Sequence, residues 1–367
     1  MPEPEHWRAE ILVATTWECN LRCTYCFVQE SGLSKGDVRM SPGTAVRLVD
    51  ALDEGLPHVE TICLHLYGGE PLTNLPAMEA MVHRALEKGP ARFSFSITTN
   101  GTILSPQVID LLQAGKFKVV LSIDGPAEVH DRCRRTHAGA PTHERVMQFL
   151  HTLRAQTDCW LRGSSVVRSG WRLSEATEYL NTLPIDVIKA QAVRGAAGSP
   201  LALSSVEKEA YLEDLQAIGH QVITDLEAGH LPRDDRFSSR ALQLLKGVPR
   251  EFFCGAGNTG FGITPSGDVL PCILLDASIH RLGHIEDAPQ TWIKAGQQWR
   301  ASRSRRPECK ECDELFLCGG GCPAMLSVCA EDECDFTRKE CQVARSIFAH
   351  FHTNQDALLT MAGITWE

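Results

Sequence analysis

The sequence predicts an α/β chain, with six strand–helix units up to about residue 230 and a cysteine-rich extension from residue 251. Three observations carry this. Short β-branched runs alternate with longer amphipathic stretches, the pattern of parallel strands joined by helical crossovers. An apolar content of 43% over 367 residues supplies a large buried core and excludes a disordered or fibrous chain. Nine of the 15 cysteines fall between Cys254 and Cys341, where glycine and proline rise and periodicity fades.

The expected strands are Glu10 to Thr16, Thr61 to Tyr67, Arg92 to Thr98, Phe117 to Ile123, Trp160 to Val167 and Pro184 to Gln191. Between them, apolar residues recur at three- and four-residue intervals. Ser41-Pro42 and Ser105-Pro106 fit an N-cap followed by proline in the first helical turn. An amphipathic stretch from Ser204 to Gly229 closes the alternating region. The expected divisions are residues 1–235, a linker at 236–250, the cysteine-rich part at 251–345 and a helical tail at 346–367. After residue 250 the fold is expected to depend on ligated metal more than on a core.

Lys and Arg total 36 against 46 Asp and Glu, a net charge of -10, which is the wrong sign for tracking nucleic-acid phosphates. No run approaches the ~20 apolar residues needed to span a bilayer, and Met1 to Glu10 is polar rather than a secretory leader. A cytoplasmic location is expected, with no membrane partner. In a reducing compartment dense cysteines point to metal rather than disulfides. Cys63, Cys133 and Cys159 fit no ligand spacing and read as core residues. The first strand starts about ten residues into the chain, which is read as leaving no room for an N-terminal accessory domain.

Directly after the first strand stands Cys19-x3-Cys23-x2-Cys26, whose three thiols can converge on one side of a loop. A closed zinc site or an electron-transfer cluster asks for four protein ligands, whereas three thiolates on a four-iron cluster leave one iron open. A zinc site completed by a distant histidine is the alternative. The next strand ends carry Gly68-Gly69-Glu70-Pro71, Thr99-Asn100-Gly101 and Ser122-Ile123-Asp124-Gly125, all on the rim where reactive groups collect in parallel α/β barrels. Glycines let a ligand approach the backbone, and Glu70 can accept hydrogen bonds from a cationic amine.

Cys19, Cys23 and Cys26, with Tyr25 before the last and Gly68-Gly69-Glu70-Pro71 beyond, resemble the core of the radical S-adenosylmethionine superfamily. The resemblance implies a TIM-like partial (β/α)6 barrel and a 4Fe-4S cluster whose open iron chelates S-adenosylmethionine. It implies that Gly68, Gly69 and Glu70 hold the methionyl amine and that Tyr25 lies near the adenine. Ser122 and Asp124 would approach the ribose or carboxylate, and Arg134 or Arg135 would bind a carboxylate.

In the tail the spacing is Cys254, Cys272, then Cys309-x2-Cys312-x5-Cys318-x3-Cys322, and Cys341 after eighteen residues. Spacing alone fits a zinc ribbon or iron–sulfur clusters. Cys318-Gly319-Gly320-Gly321-Cys322-Pro323 resembles the SPASM extension of radical S-adenosylmethionine enzymes, which carries two auxiliary clusters. By that resemblance one cluster takes Cys309, Cys312, Cys318 and Cys341, and the other Cys254, Cys272 and Cys322. Anaerobic sulfatase maturases, similar in architecture, place a further cysteine about six residues after the one matching Cys254, where this chain has Asn258-Thr259-Gly260. Cys329 or Cys334 could substitute, or that cluster keeps an open iron. The Ile263 to Asp268 hairpin, turning at Ser266-Gly267, resembles the peptide-maturing branch. Arg300, Arg303, Arg305 and Arg306 read as a solvated basic stretch that could meet an acidic substrate.

The resemblance implies reductive cleavage of S-adenosylmethionine to a 5′-deoxyadenosyl radical. That radical would abstract hydrogen from a side chain of a peptide or small protein, giving oxidation, a cross-link or a cyclisation. A flavodoxin- or ferredoxin-type reductant and a separate leader-recognition protein are the implied partners. The residue that takes the proton is not assignable from sequence. Alternatives are a dehydrogenase of a small alcohol or amino sugar, a multi-cluster electron carrier and a zinc-binding protein.

Overall fold

The computed structural model describes residues 8–26, 28, 38–194 and 200–362. The strands are β1 (Arg8–Thr16), β2 (Thr61–Gly68), β3 (Phe93–Thr99), β4 (Lys118–Ser122), β5 (Trp160–Val167), β6 (Val187–Ala192), β7 (Gly260–Ile263), β8 (Asp268–Leu270) and β9 (Gly283–His284). They agree with the six expected strands to within a few residues and add three from the extension. The fold is a partial parallel α/β barrel with a cysteine-rich extension. Two compact units interleave along the chain. One holds residues 1–123, 130–161 and 255–303, and the other 124–129, 162–254 and 304–367.

In the first unit the strand order is β4-β3-β2-β1-β7-β8-β9, parallel from β4 through β7 and antiparallel beyond. β1 lies between β2 and β7, so Ile11 and Val13 are fully buried, and its sequence reads as the continuous apolar run of a covered parallel strand. Its register to β2 runs from Arg8↔Thr61 to Ala14↔Tyr67 and then slips to Thr16↔Gly68. That irregularity sits where the chain leaves the sheet for the cysteine loop, and bulges re-aim a strand in this way. The helix Pro42–Gly55 starts as expected, with Ser41 Oγ accepting from the Thr44 N–H at 3.0 Å. Ser105 Oγ likewise accepts from the Val108 N–H at the head of the helix Pro106–Ala114. The antiparallel β7–β8 hairpin turns at Gly267, whose φ of 96° suits glycine. Cys63, Cys133 and Cys159 are buried, as read.

In the second unit β5 and β6 pair in parallel from Arg162↔Val187 to Val167↔Ala192. The helix Ser205–Glu227 opens on a capping box. Glu207 accepts from Ser204 N–H at 2.8 Å, Ser204 Oγ at 2.7 Å, and Ser169 Oγ and Gly170 N–H at 2.9 Å each. Those donors pull its carboxyl down from 4.5 to about 2. The folded value is depressed, so the contribution is present above pH 4.5 and disappears as pH falls through about 2. Glu207→Ala is expected to lose about 1 kcal/mol at neutral pH. Urea melts of the two proteins should converge in strong acid.

Residues 236–250, expected as a linker, contain the helix Ser238–Lys246, and Phe237 and Ala241 sit in the core. The tail also departs from expectation. Its 28-residue helix Pro323–His350 packs Phe336, Val343, Ala344 and Ile347 against Tyr211, Leu215 and Val222, so an apolar core carries this segment beside any metal. Among the described residues no helix is long and apolar enough to cross a membrane.

Candidate active site

The cysteine loop is tied to the rim of the first unit by backbone. Gly69 N–H donates to Thr16 O and Glu70 N–H to Glu18 O, both at 2.8 Å. This close approach explains the glycine pair. A Cβ on Gly68, which sits at φ 124°, would stand 2.2 Å from Thr16 O, and one on Gly69 would stand 2.1 Å from Glu18 O. The end of β3 holds the loop from the other side. Asn100 Nδ2 donates to Asn20 Oδ1 at 2.9 Å and lies 3.8 Å from Cys19 Sγ, while Asn20 Nδ2 donates to Thr102 Oγ1 at 2.8 Å.

Glu70 is 1% exposed. Its Oε1 accepts from Leu72 N–H at 3.1 Å and Thr99 Oγ1 at 2.8 Å, and its Oε2 from Asn100 N–H at 2.7 Å. Burial nevertheless pushes its carboxyl up to about 7, against those bonds and the nearby charge of Arg134. Oε2 keeps capacity for a second donor, and a cation there would favour the ionised form. Burial pushes the Cys19 thiol up to about 12. Glu70, Cys23 and Cys26 add to this, while the Leu21 N–H, donating to Sγ at 3.4 Å, works the other way. The Cys19 thiol, crowded by two others and a carboxylate, resists ionisation, and a positively charged centre would reverse that. The donor set therefore fits a cluster.

The run from His130 to Thr136 lies along the same loop. Thr24 N–H donates to Cys133 O, and Arg22 N–H to Arg135 O at 2.8 Å. Arg134 and Arg135 separate here. Arg134 is buried, with its guanidinium 5.3 Å over the Tyr25 ring, whereas Arg135 is exposed and donates to Gly139 O at 2.9 Å. Cys19, Cys23, Cys26, Tyr25, Glu70 and Arg134 thus share one region. Ser122 ends β4 half-buried. Asp124, in the second unit, is fully buried and faces protein. Its carboxylate accepts from Val166 N–H at 3.3 Å and lies 3.6 Å from Arg168, and its carbonyl accepts from Trp171 Nε1 at 2.8 Å.

Two residues escaped the sequence reading. Tyr67 has Cys26, Cys272 and Arg134 around it, and burial pushes its phenol up. Two residues earlier on the same strand face, His65 bonds Thr98 Oγ1 through Nε2 and Ser96 Oγ through Nδ1, each at 2.8 Å. Both alternate with buried residues along β2, a period-2 signal that the sequence displays once the strand's covered face is known. Gly262 lets the Cys272 segment cross β7, since a Cβ there would stand 2.2 Å from Ile273 N.

In the second unit the tail cysteines sit on tight turns. Cys312 N–H donates to Cys309 O, and Cys318 ends the short helix Leu315–Cys318 before Gly319 at φ 69°. The Gly320 and Gly321 N–H groups bond the Cys318 sulfur, and those of Ala324 and Met325 bond Cys322, beside which Cys254 also lies. Cys341 is fully buried and accepts from Arg240 Nε at 3.3 Å. Cys329 marks a kink in its helix, at φ -147° and ψ 63°. Among the described residues no three His, Cys, Asp or Glu side chains are arranged to hold a single metal ion. A cluster asks for one thiolate per iron, set wider apart.

The radical SAM superfamily model matches residues 14–162, and the model of an iron–sulfur cluster-binding domain, SPASM, matches residues 254–313. The serine-type anaerobic sulfatase-maturating enzyme of Bacteroides thetaiotaomicron is 27% identical over 342 residues, 83% of this chain and 80% of that one. The radical SAM cyclopropyl synthase TigE of Paramaledivibacter caminithermalis is 25% identical over 148 residues, 37% of this chain, and the match spans only 31% of that enzyme. A solved structure described as native anSMEcpe with bound AdoMet and Cp18Cys peptide shares the fold. Its TM-score is 0.75, with 21% identity over 97% of this chain and 99% of that one. This chain joins a radical SAM domain to a SPASM iron–sulfur cluster-binding domain, the combination its two groups of cysteines pointed to.

Proposed function

We propose that the chain is a maturase that takes a hydrogen atom, and then one electron and one proton, from a serine or cysteine side chain of a peptide or protein, which turns serine directly into an aldehyde and cysteine into a thioaldehyde that water converts to the aldehyde with release of hydrogen sulfide. The observation that carries it is Tyr67, which has Cys26 of the amino-terminal loop and Cys272 of the extension beside it in one unit. A thiol from each cysteine group thereby lies within electrostatic reach of one rim residue. The substrate class rests on the likeness to the serine-type sulfatase-maturating enzyme across most of both chains.

Cys19, Cys23 and Cys26 would hold the first cluster, and Cys254, Cys272, Cys309, Cys312, Cys318, Cys322 and Cys341 the auxiliary ones. When bound, S-adenosylmethionine and these clusters supply hydrogen abstraction and an outlet for the remaining electron. Glu70 Oε2 would accept from the methionyl ammonium, Arg134 would pair with its carboxylate, and Tyr25, under Arg134, would lie at the adenine. Gly68 and Gly69 keep that corner narrow. Tyr67 would wall the hydrogen-transfer position from water. A flavodoxin- or ferredoxin-type protein would be the reductant.

The test is anaerobic reconstitution with S-adenosylmethionine and dithionite, adding synthetic peptides with a central serine or cysteine deuterated at Cβ. The expected result is deuterium in 5′-deoxyadenosine and a hydrazine-reactive aldehyde on the peptide. Unlabelled 5′-deoxyadenosine and unchanged peptides, together with oxidation of a small alcohol or amino sugar, would overturn it.

A further inference from the structure

The segment expected from sequence to be a linker carries an arginine that no step of the proposed chemistry uses. Arg240 stands on the helix Ser238–Lys246 and is 7% exposed. All three of its guanidinium nitrogens are engaged. Nε donates to Cys341 Sγ at 3.3 Å, Nη1 donates to Arg236 O at 3.1 Å, and Nη2 lies 2.8 Å from Glu340 Oε2. A planar guanidinium held at three corners keeps one orientation, and that orientation presents the Nε–H to the sulfur.

Cys341 is fully buried, so water does not compete for its sulfur. The guanidinium, and not its counter-ion Glu340, is what touches it. Arg240 also lies within electrostatic reach of Cys318, which the spacing assigns to the same cluster. Cys322, assigned to the other auxiliary cluster, has backbone N–H donors and the carboxylate of Glu333 around it instead. Arg250 reaches Cys341, Cys318 and Cys254 alike, whereas Arg240 bonds one of them.

We propose that Arg240 is a positioning residue for the auxiliary cluster of Cys309, Cys312, Cys318 and Cys341, holding the Cys341 sulfur through Nε–H and raising the reduction potential of that cluster. The inference rests on reading those four cysteines as one ligand set. Ligand sulfurs gain negative charge when a cluster takes up an electron, so a cationic donor aimed at one of them favours the reduced form. In the proposed reaction the substrate side chain gives up one electron after hydrogen abstraction. The side chain is oxidised, the cluster is reduced by that one electron, and Arg240 makes the cluster the better acceptor.

The experiment is a potentiometric titration of the full chain, reconstituted anaerobically and followed by electron paramagnetic resonance. The signal that disappears in Cys309→Ala marks the cluster. Arg240→Gln is expected to keep the parent iron count and to weaken reduction at that signal about tenfold, a fall of about 59 mV for one electron. Arg240→Lys should recover part of the shift. Glu340→Gln, which strips the guanidinium of its counter-ion, should move the midpoint upward, and the first cluster should stay where it is in all three. In the parent, supplied with arginine carrying a heavy nitrogen isotope at Nε, the reduced cluster should show a coupling to that nucleus, a readout that needs no variant to fold. A parent midpoint in Arg240→Gln, equal shifts at every cluster, or no such coupling in the parent overturns the proposal. A Cys341→Ser protein with parent iron and spectrum overturns instead the reading of Cys341 as a ligand.

Discussion

Replacing Cys19, Cys23 and Cys26 with alanine is expected to remove about four irons per chain and to drop 5′-deoxyadenosine formation below detection. The loss should be complete rather than graded. Cys19 has Cys23, Cys26 and Glu70 around it, and the two groups that donate to its sulfur, Asn100 Nδ2 and the Leu21 N–H, cannot stand in as ligands. A single Cys26→Ala change should do nearly as much, because two thiolates leave two irons open. Cys309→Ala and Cys312→Ala should instead spare cleavage of S-adenosylmethionine and block peptide oxidation. Product formation by the triple variant at the parent rate would remove the loop from the chemistry.

Gly69→Ala is the second large effect, expected to cost about 3 kcal/mol or more and to impair loading of the same cluster although no ligand is touched. The added Cβ would stand 2.1 Å from Glu18 O and 2.7 Å from Trp17 O, both backbone atoms that cannot swing away. Relief requires parting the rim from the loop, which breaks the Gly69-to-Thr16 and Glu70-to-Glu18 hydrogen bonds at roughly 1 kcal/mol each, on top of an overpacking cost of about 1–3 kcal/mol. Gly43→Ala is the control. It lies in a helix with only Ser41 Oγ near the new atom, at 3.7 Å, so it should be neutral or slightly stabilising. Equal melting and equal iron content for the two variants would show that the close approach is dispensable.

Much of this was legible because it is local. β5 was read to the residue, since its inward and outward positions alternate cleanly between buried and half-buried. The cysteine loop and Gly68-Gly69-Glu70 were legible from spacing, although the glycines prove to face backbone first. Neighbouring Arg134 and Arg135 were indistinguishable because only tertiary context turns one over Tyr25 and the other to solvent. The helix Pro323–His350 was hidden for a different reason. Its inward face carries Glu333, Thr337 and Glu340 among the apolar residues, which erases the hydrophobic stripe that marks a helix. Those carboxylates are buried because arginines meet them, Arg194 at 2.8 Å from Glu333 and Arg240 at 2.8 Å from Glu340.

The same two ion pairs set the helix's axial position. Sliding it by one turn would strand a carboxylate opposite hydrocarbon and orphan a guanidinium, a penalty of several kcal/mol that no apolar stripe of similar residues would impose. Cys334 and Cys341 travel on that helix, so the charges act as an index mark that fixes which sulfur is presented at which height. A homologue that lost one member of either pair would be expected to change the other in step, or to have moved its thiols.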